Sequence, residues 1–442
     1  MRLPPYQRLL VAIVACCAMT QHALGELRFP QPDFESGYTP PSTSVPPPRA
    51  LSWEIIDVAV LAVALALAAW FVLRRRSRLG VLLLTAASLG YFGFFRQGCV
   101  CPIGSIQNVT MGLAQPSFAV PLMVVAFFAL PLLAALFFGR VFCAAVCPLG
   151  AIQDLVAVRP IRVPDSIAEA LGAFRYVYLI GAILLTSLGA GFFICRYDPF
   201  VAFFRMDGKL PMLLYGAGLL LLGIFVARPY CRFLCPYGVI LGWLSRLSWR
   251  HASITPAHCI QCRLCEDSCP FGAIRFPAPP PARASLGRGR KELLLLMVVF
   301  PALAAAGAWL GHATSPVVAG LHPKVSLSRQ IQLESAVPGT PTTKATDAFR
   351  TSGRTAPELH DEAMAIARRF ATGGAIAGAV LGLFLGLKMI ALTRRPARRD
   401  YEIDRSLCLS CARCFRYCPV LPGGEVPPEF LNMGNRQDVA KP

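Results

Sequence analysis

The sequence predicts an α-helical, multi-pass membrane protein of about seven transmembrane helices, with a small α+β module gathered on one face. Three observations predict it. Of 442 residues, 55% are hydrophobic and only 15% are charged, against about 25% charged in soluble domains; the mean hydropathy is +0.54. A water-soluble globule and a disordered chain are both excluded, since the latter needs low hydrophobicity and high charge. Seven apolar runs approach the ~20 residues that span a bilayer: Trp53–Leu73, Leu79–Phe95, Phe118–Phe138, Phe174–Ile194, Leu210–Ala227, Leu293–Gly311 and Ala371–Leu392. The third observation is that basic residues cluster at alternate ends of these runs.

Taken in order, residues 1–25 read as a signal peptide or N-terminal anchor. Arg2 and Arg8 precede the apolar run Leu9–Thr20, and Ala23-Leu24-Gly25 offers a small-residue cleavage site. A cleaved signal, a lipobox ending at Cys16, and an uncleaved anchor all place residue 26 outside the cytoplasm. Residues 26–50 are proline-rich and read as a periplasmic tether. The transmembrane core follows over 51–250. Its first run ends in Arg74-Arg75-Arg76-Ser77-Arg78, so that end is cytoplasmic by the positive-inside rule. Arg140 after the third run, Arg228 to Arg250 after the fifth, Arg283 to Lys291 before the sixth and Arg394 to Arg399 after the seventh then all fall inside. Residues 99–117, expected outside, hold no Lys or Arg. Membrane orientation thus accounts for the net charge of +19, and no basic stretch is interleaved with stacking aromatics as nucleic-acid binding would require.

The cysteines beyond Cys16 and Cys17 form three groups. Cys259-x2-Cys262-x2-Cys265-x3-Cys269-Pro270 and Cys408-x2-Cys411-x2-Cys414-x3-Cys418-Pro419 both match the bacterial ferredoxin run, in which the fourth cysteine ligates the other cluster. One 4Fe–4S cluster is expected on Cys259, Cys262, Cys265 and Cys418, a second on Cys408, Cys411, Cys414 and Cys269. Paired CxxC motifs also bind zinc, but two complete four-cysteine runs, each closed by proline, favour iron and sulfur. The halves, over residues 251–282 and 400–442, are separated by two membrane runs (293–311 and 371–392) and a periplasmic excursion over 312–370. Two crossings return the chain to one face, so cross-ligation is topologically allowed; two separate half-modules are the alternative.

The second group repeats. Arg140-x2-Cys143-x3-Cys147-Pro148-Leu149-Gly150 recurs as Arg228-x2-Cys231-x3-Cys235-Pro236-Tyr237-Gly238. Cys143, Cys147, Cys231 and Cys235 share one membrane side and could close a third cluster or two dithiol sites. Proline after the second cysteine suits the first position of a helix, whose positive end would face an anionic cluster. The third group, Cys99, Cys101 and Cys195, lies on the opposite, periplasmic face. Arg96-x2-Cys99-x-Cys101-Pro102-Ile103-Gly104 is the same motif two residues shorter. A cluster with Asp198 or a partner as fourth ligand, redox thiols, and a disulfide with a spare thiol all remain open there. His312, His322 and His360 are weaker ligand candidates. Gly374, Gly378, Gly382 and Gly386 form a helical stripe that would let another helix backbone approach.

Together these motifs resemble the NosR/NapH-type membrane polyferredoxins, over Arg96 to about Pro419. The resemblance rests on the two ferredoxin runs and the paired CxxxCP motifs. It implies an inner-membrane, multi-pass protein whose ferredoxin module is cytoplasmic. It also implies single-electron transfer between the quinone pool or a cytoplasmic donor and a periplasmic reductase, of the nitrous oxide or nitrate type. Such a protein is an electron-transfer subunit without substrate chemistry of its own. Two rival roles are assembly of a metal centre by copper reduction, and redox sensing.

Overall fold

The computed structural model describes residues 50–98, 101–116, 118–158, 160–254, 262–277, 286–337, 340–393 and 401–418. The expected signal or anchor, residues 26–49 of the tether, Cys99, Cys259 and the tail beyond Cys418 lie outside the described residues.

Helices dominate because the apolar runs leave the backbone no other way to satisfy its N–H and C=O groups in lipid. The long ones are α1 (Leu51–Arg74), α2 (Arg78–Phe95), α3 (Pro102–Ala114), α4 (Leu122–Phe138), α5 (Pro148–Val156), α6 (Asp165–Ser187), α7 (Leu210–Phe225), α8 (Pro236–Arg246), α9 (Leu286–Ala319), α10 (Pro323–Ala336), α11 (Lys344–Thr351) and α12 (Ala356–Thr393). Of these α1, α2, α6, α9 and α12 contain stretches long and apolar enough to cross a membrane, while α4 and α7 are apolar but shorter. Each of the seven apolar runs of the sequence is therefore helical, with shifted ends. Polar residues extend α9 and α12 well beyond their runs, and both carry into the expected excursion at 312–370.

Residues 99–117, expected as an outer loop, contain α3. Pro102 opens it, and its residues Ile103, Gly104, Ser105, Ile106 and Gln107 are buried. It packs on α4 and α6. The sequence disguised it because Ser105, Gln107, Asn108 and Thr110 break the apolar run; these groups are instead satisfied within the fold, as where the Thr110 hydroxyl donates to the Ile106 carbonyl at 2.7 Å.

The largest core lies among α1 to α6 and α8, and includes Cys147 and Cys235. Asp57 of α1, 1% exposed, pairs with Arg96 at 2.8 Å and accepts from the Tyr91 hydroxyl at 2.7 Å, which pins α1 to the end of α2. The glycine stripe finds its partner in α9. A Cβ on Gly307 would collide with the carbonyl of Gly378, and one on Gly311 with that of Gly374, so the two backbones touch along their length. This hairpin docks on the rest of the molecule through α12, where Phe384 stacks on Trp243 at 5.2 Å and Lys388 Nζ donates to the Glu169 carbonyl at 2.6 Å.

One two-stranded sheet is present among the described residues. Strand β1 (Ile274–Arg275) pairs antiparallel with β2 (Glu402–Ile403), Ile274 opposite Ile403. The segments preceding α9 and following α12 thus meet on one side of the hairpin.

Candidate metal centres

In the first ferredoxin run, Cys262 lies ahead of the short helix Leu264–Asp267, which carries Cys265. In the second, Cys411 lies ahead of the helix Arg413–Tyr417, which carries Cys414. Arg263 (φ 62°) and Ala412 (φ 59°), each immediately after the second cysteine of its run, are both left-handed. That conformation is costly for residues with a Cβ. It recurs here because the chain must reverse between two thiols that face the same point.

The two runs share one cavity. Cys269 of the first and Cys408, Cys411 and Cys414 of the second line one partly open space, walled by Phe271 and Leu409. Ser410 N donates to Cys408 Sγ at 3.3 Å. Burial pushes the Cys408 thiol up to about 12; burial and the neighbouring Cys411 also raise Cys269. The donor set fits a 4Fe–4S cluster with three ligands from one run and one from the other. The remaining set has Cys262, Cys265 and Cys418 among the described residues.

Cys143, Cys147, Cys231 and Cys235 converge in the core. Cys147 interacts electrostatically with the other three, and burial raises its thiol well above the ordinary value. Cys147 and Cys235 are extended residues that open α5 and α8, each followed by proline at the first helical position. Gly238 N donates to Cys235 Sγ at 3.4 Å, as a helix N-terminus facing an anion should. The motif arginines cross over. A Cβ on Gly150 would meet Arg228 Nη1 at 3.1 Å, and one on Gly238 would meet Arg140 Nη2 at 3.1 Å. Each CPxG glycine therefore makes room for the other motif's arginine. Arg140 Nη2 also approaches Cys143 Sγ at 3.9 Å and its Nη1 donates to the Ser406 carbonyl at 3.0 Å.

Two buried residues at the four-thiol group escaped the sequence reading. Gln153, fully buried, donates to Cys231 Sγ at 3.2 Å and accepts from Tyr230 N at 2.9 Å. Asp154, beside it, pairs with Arg78 at 2.9 Å, Arg228 at 3.2 Å and Arg413 at 3.5 Å. Burial pushes its carboxyl up, but the three guanidiniums more than reverse this and hold it far below the usual carboxylate range. A signal for Gln153 was present, because Cys101-Pro102-x-Gly104-x2-Gln107 and Cys147-Pro148-x-Gly150-x2-Gln153 share it.

The same device appears at the outer group. Gln107, fully buried, accepts from Ile194 N at 2.9 Å and Cys195 N at 3.3 Å, as Gln153 does from the residue before Cys231. Cys195 Sγ lies against Gly104, and Cys101 is within electrostatic reach of both Asp198 and Cys195. Asp198 accepts from Phe200 N at 2.9 Å, and burial pushes its carboxyl up to about 6. No described cysteine is in a disulfide. Two of the three candidate histidines have structural partners: His322 Nδ1 accepts from Lys324 N at 3.2 Å, and His360 Nδ1 lies 2.8 Å from Gln332 Nε2. Among the described residues, no group of three or more His, Cys, Asp or Glu side chains is placed to hold a single metal ion. The ferredoxin thiols instead surround a space, as the corners of a cluster require.

Family models described as 4Fe–4S binding domains match residues 120–164, 210–254 and 252–275. The first two spans each carry one CxxxCP motif, and the third carries the first ferredoxin run. The chain is 32% identical to NirI of Paracoccus denitrificans over 45% of its own length and 31% of NirI. It is 27% identical to the regulatory protein NosR of Pseudomonas aeruginosa, over 46% of this chain and 30% of NosR. It is also 27% identical to YccM of Escherichia coli, over 38% of this chain and 52% of YccM. The chain thus spans about a third of NirI and NosR. No solved structure matches it. In its cysteine motifs and by these relatives, the chain is similar to the 4Fe–4S membrane proteins of the NosR/NirI type.

Proposed function

We propose that this protein carries single electrons across the bacterial inner membrane. The path runs from a cytoplasmic ferredoxin module, through the four-thiol group, to the outer thiols and a periplasmic reductase of nitrous oxide or nitrate respiration. Electrons enter from the quinone pool or a cytoplasmic donor. The observation that carries the reading is the Asp154 knot. It ties Arg228 of the four-thiol group to Arg413 of the second ferredoxin run and to Arg78, which itself donates to the Cys411 carbonyl at 2.8 Å. Two thiol sites held by one buried ion network are placed for transfer between them.

Iron–sulfur clusters supply the reversible one-electron chemistry when bound. The chain's own residues hold them and set their surroundings. Cys259, Cys262, Cys265 and Cys418 hold one cluster; Cys408, Cys411, Cys414 and Cys269 hold the second; Cys143, Cys147, Cys231 and Cys235 hold a third. Arg78, Arg140 and Arg228 place positive charge beside these thiolates, and the amides of Ser410, Gly238 and Gln153 donate to sulfur, both of which favour the reduced state. Cys101 and Cys195, with Cys99, form the exit site on the periplasmic face.

Anaerobically purified protein tests this. About eight irons are expected from the ferredoxin clusters and about twelve with the third. Cys269→Ser should perturb the cluster of the second run, because its fourth ligand comes from the first. Zinc with little iron, or a Cys269→Ser variant that alters only the first run's cluster, would overturn the assignment. A second reading, redox sensing, is favoured by the name of the relative NosR, a regulatory protein; loss of signalling with electron flow intact would support it.

A further inference from the structure

A polar cleft opens where the ferredoxin runs meet the membrane core. Arg78, Arg162, Arg413 and Arg416 line it, against a single carboxylate, Asp267, among the described residues. Arg413 and Arg416 stand three positions apart on one short helix and so share a face. The ion pairs around the cleft do not balance this charge. Asp154 is shared by Arg78, Arg228 and Arg413, and Glu266 by Arg162 and Arg263. Two carboxylates thus answer five guanidiniums. Forked guanidiniums gathered on one opening suit an anion with several oxygens, a phosphate above all. The cleft also lies at the level where apolar helices end. Val158 and Pro160, which follow α5, line its rim. Ile161 N donates to the carbonyl of Phe225 at 2.7 Å, and Phe225 is the last residue of α7. Val158, Ile161, Leu221, Leu222 and Phe225 are all exposed apolar side chains. Arginines beside such a boundary stand at the depth of the lipid headgroups, where basic pockets between membrane helices bind acidic ones.

We propose that this cleft binds a phosphate-bearing anion, and that its level in the fold assigns the headgroup of an anionic phospholipid as the source. The phosphate sits among the four guanidiniums, and the acyl chains lie along Ile161 and the exposed end of α7. The site goes beyond the electron-transfer reading, since it needs no bound cluster. One consequence does rest on that reading. Cys269 lines both this cleft and the space shared with Cys408, Cys411 and Cys414. A phosphate in the cleft therefore sets negative charge beside one ligand of the second cluster, and added negative charge disfavours the reduced state. The rival explanation is that the arginines only offset the charge of the neighbouring clusters.

The test uses the full-length protein, purified anaerobically in detergent and stripped of co-purifying lipid. Native mass spectrometry counts bound lipid as dioleoylphosphatidylglycerol is added. Dioleoylphosphatidylcholine, with the same chains and no net charge, is the control, and inorganic phosphate is titrated separately by calorimetry. One phosphatidylglycerol should bind in preference to phosphatidylcholine. Arg416→Gln, at an exposed position, should weaken that binding about fivefold, which is about 1 kcal/mol for one basic residue near an anionic headgroup. Arg162→Gln gives an independent second variant with the same expected loss. Arg250→Gln, at an exposed arginine beside the end of α4 and outside the cleft, should leave binding unchanged. Inorganic phosphate bound with the same dependence on Arg416, without preference for phosphatidylglycerol, would keep the anion site and overturn the lipid as its source. Equal retention of both lipids with no phosphate bound, or equal weakening in Arg250→Gln, would overturn the site and leave the arginines as counter-charge for the clusters. With phosphatidylglycerol bound, the midpoint potential of the cluster signal that Cys408→Ser abolishes should fall; an unchanged potential would overturn the coupling to the cluster and leave the binding site standing.

Discussion

Arg78 Nη1 donates to the carbonyl of Cys411 at 2.8 Å, joining residues 333 positions apart. Arg78 opens α2 next to the basic end of α1, and Cys411 is the second cysteine of the second ferredoxin run. The other nitrogen of the same guanidinium pairs with Asp154. A planar fork with donors on both sides suits this bridging use in a way that a lysine ammonium does not. The ferredoxin module is in this way fastened to the membrane core through charge buried at their junction.

Asp154→Ala should be strongly destabilising. It leaves Arg228, 1% exposed, and Arg78 buried without their carboxylate, and breaking one partner of a buried pair costs about 3–5 kcal/mol. Asp154→Asn keeps an acceptor oxygen and should cost less. Thermal melting of the detergent-solubilised protein, with the Cys408–Cys414 cluster signal followed in parallel, checks both. Equal melting temperatures for Asp154→Ala and the unaltered protein would show that the knot is not holding the junction.

Gly307→Ala should part α9 from α12, because its Cβ would collide with the Gly378 carbonyl, which is backbone and not the end of a flexible side chain. Gly386→Ala meets side chains, the Phe300 ring at 2.9 Å and Leu303 Cδ1 at 3.6 Å, and a side chain can move. The first should cost about 1–3 kcal/mol, in the range of overpacking, and the second less. Melting temperatures of the two variants rank them; the reverse order would mean that this seam does not control the hairpin.

Topology follows from the sheet. Since β1 pairs with β2, the chain before α9 and the chain after α12 share a face, and the proposed function takes that face, rich in basic clusters, as the cytoplasmic one. Reporter fusions near Arg246 and after Pro419 should therefore read as cytoplasmic, and one near Thr340 as periplasmic. Opposite readings at Arg246 and Pro419 would be incompatible with a shared cluster.

The apolar runs and cysteine spacings were legible because each depends on local pattern alone. A run of lipid-compatible residues forces helix, and CxxCxxC places its thiols whatever surrounds them. What stayed hidden depends on partners distant in sequence. Asp154 reads as one acid in an apolar stretch until Arg78, Arg228 and Arg413 surround it. The glycine stripe shows a contact face but not α9 as its mate. Helix α3 was concealed because its polar residues find partners a hydropathy pattern does not show: Thr110 bonds its own helix, and Gln107 Nε2 reaches the Thr186 hydroxyl at 2.9 Å.

The central claim, that this chain conducts electrons across a membrane, is tested most directly by flow into sealed vesicles. The protein is reconstituted with its ferredoxin face outward and a redox dye enclosed; a reduced, membrane-impermeant donor is then added outside. The account predicts reduction of the enclosed dye only in vesicles that contain the protein. It also predicts loss of that flow in Cys101→Ser, with protein level and both ferredoxin signals intact. An enclosed dye that stays oxidised in the presence of protein with its full complement of clusters would contradict it.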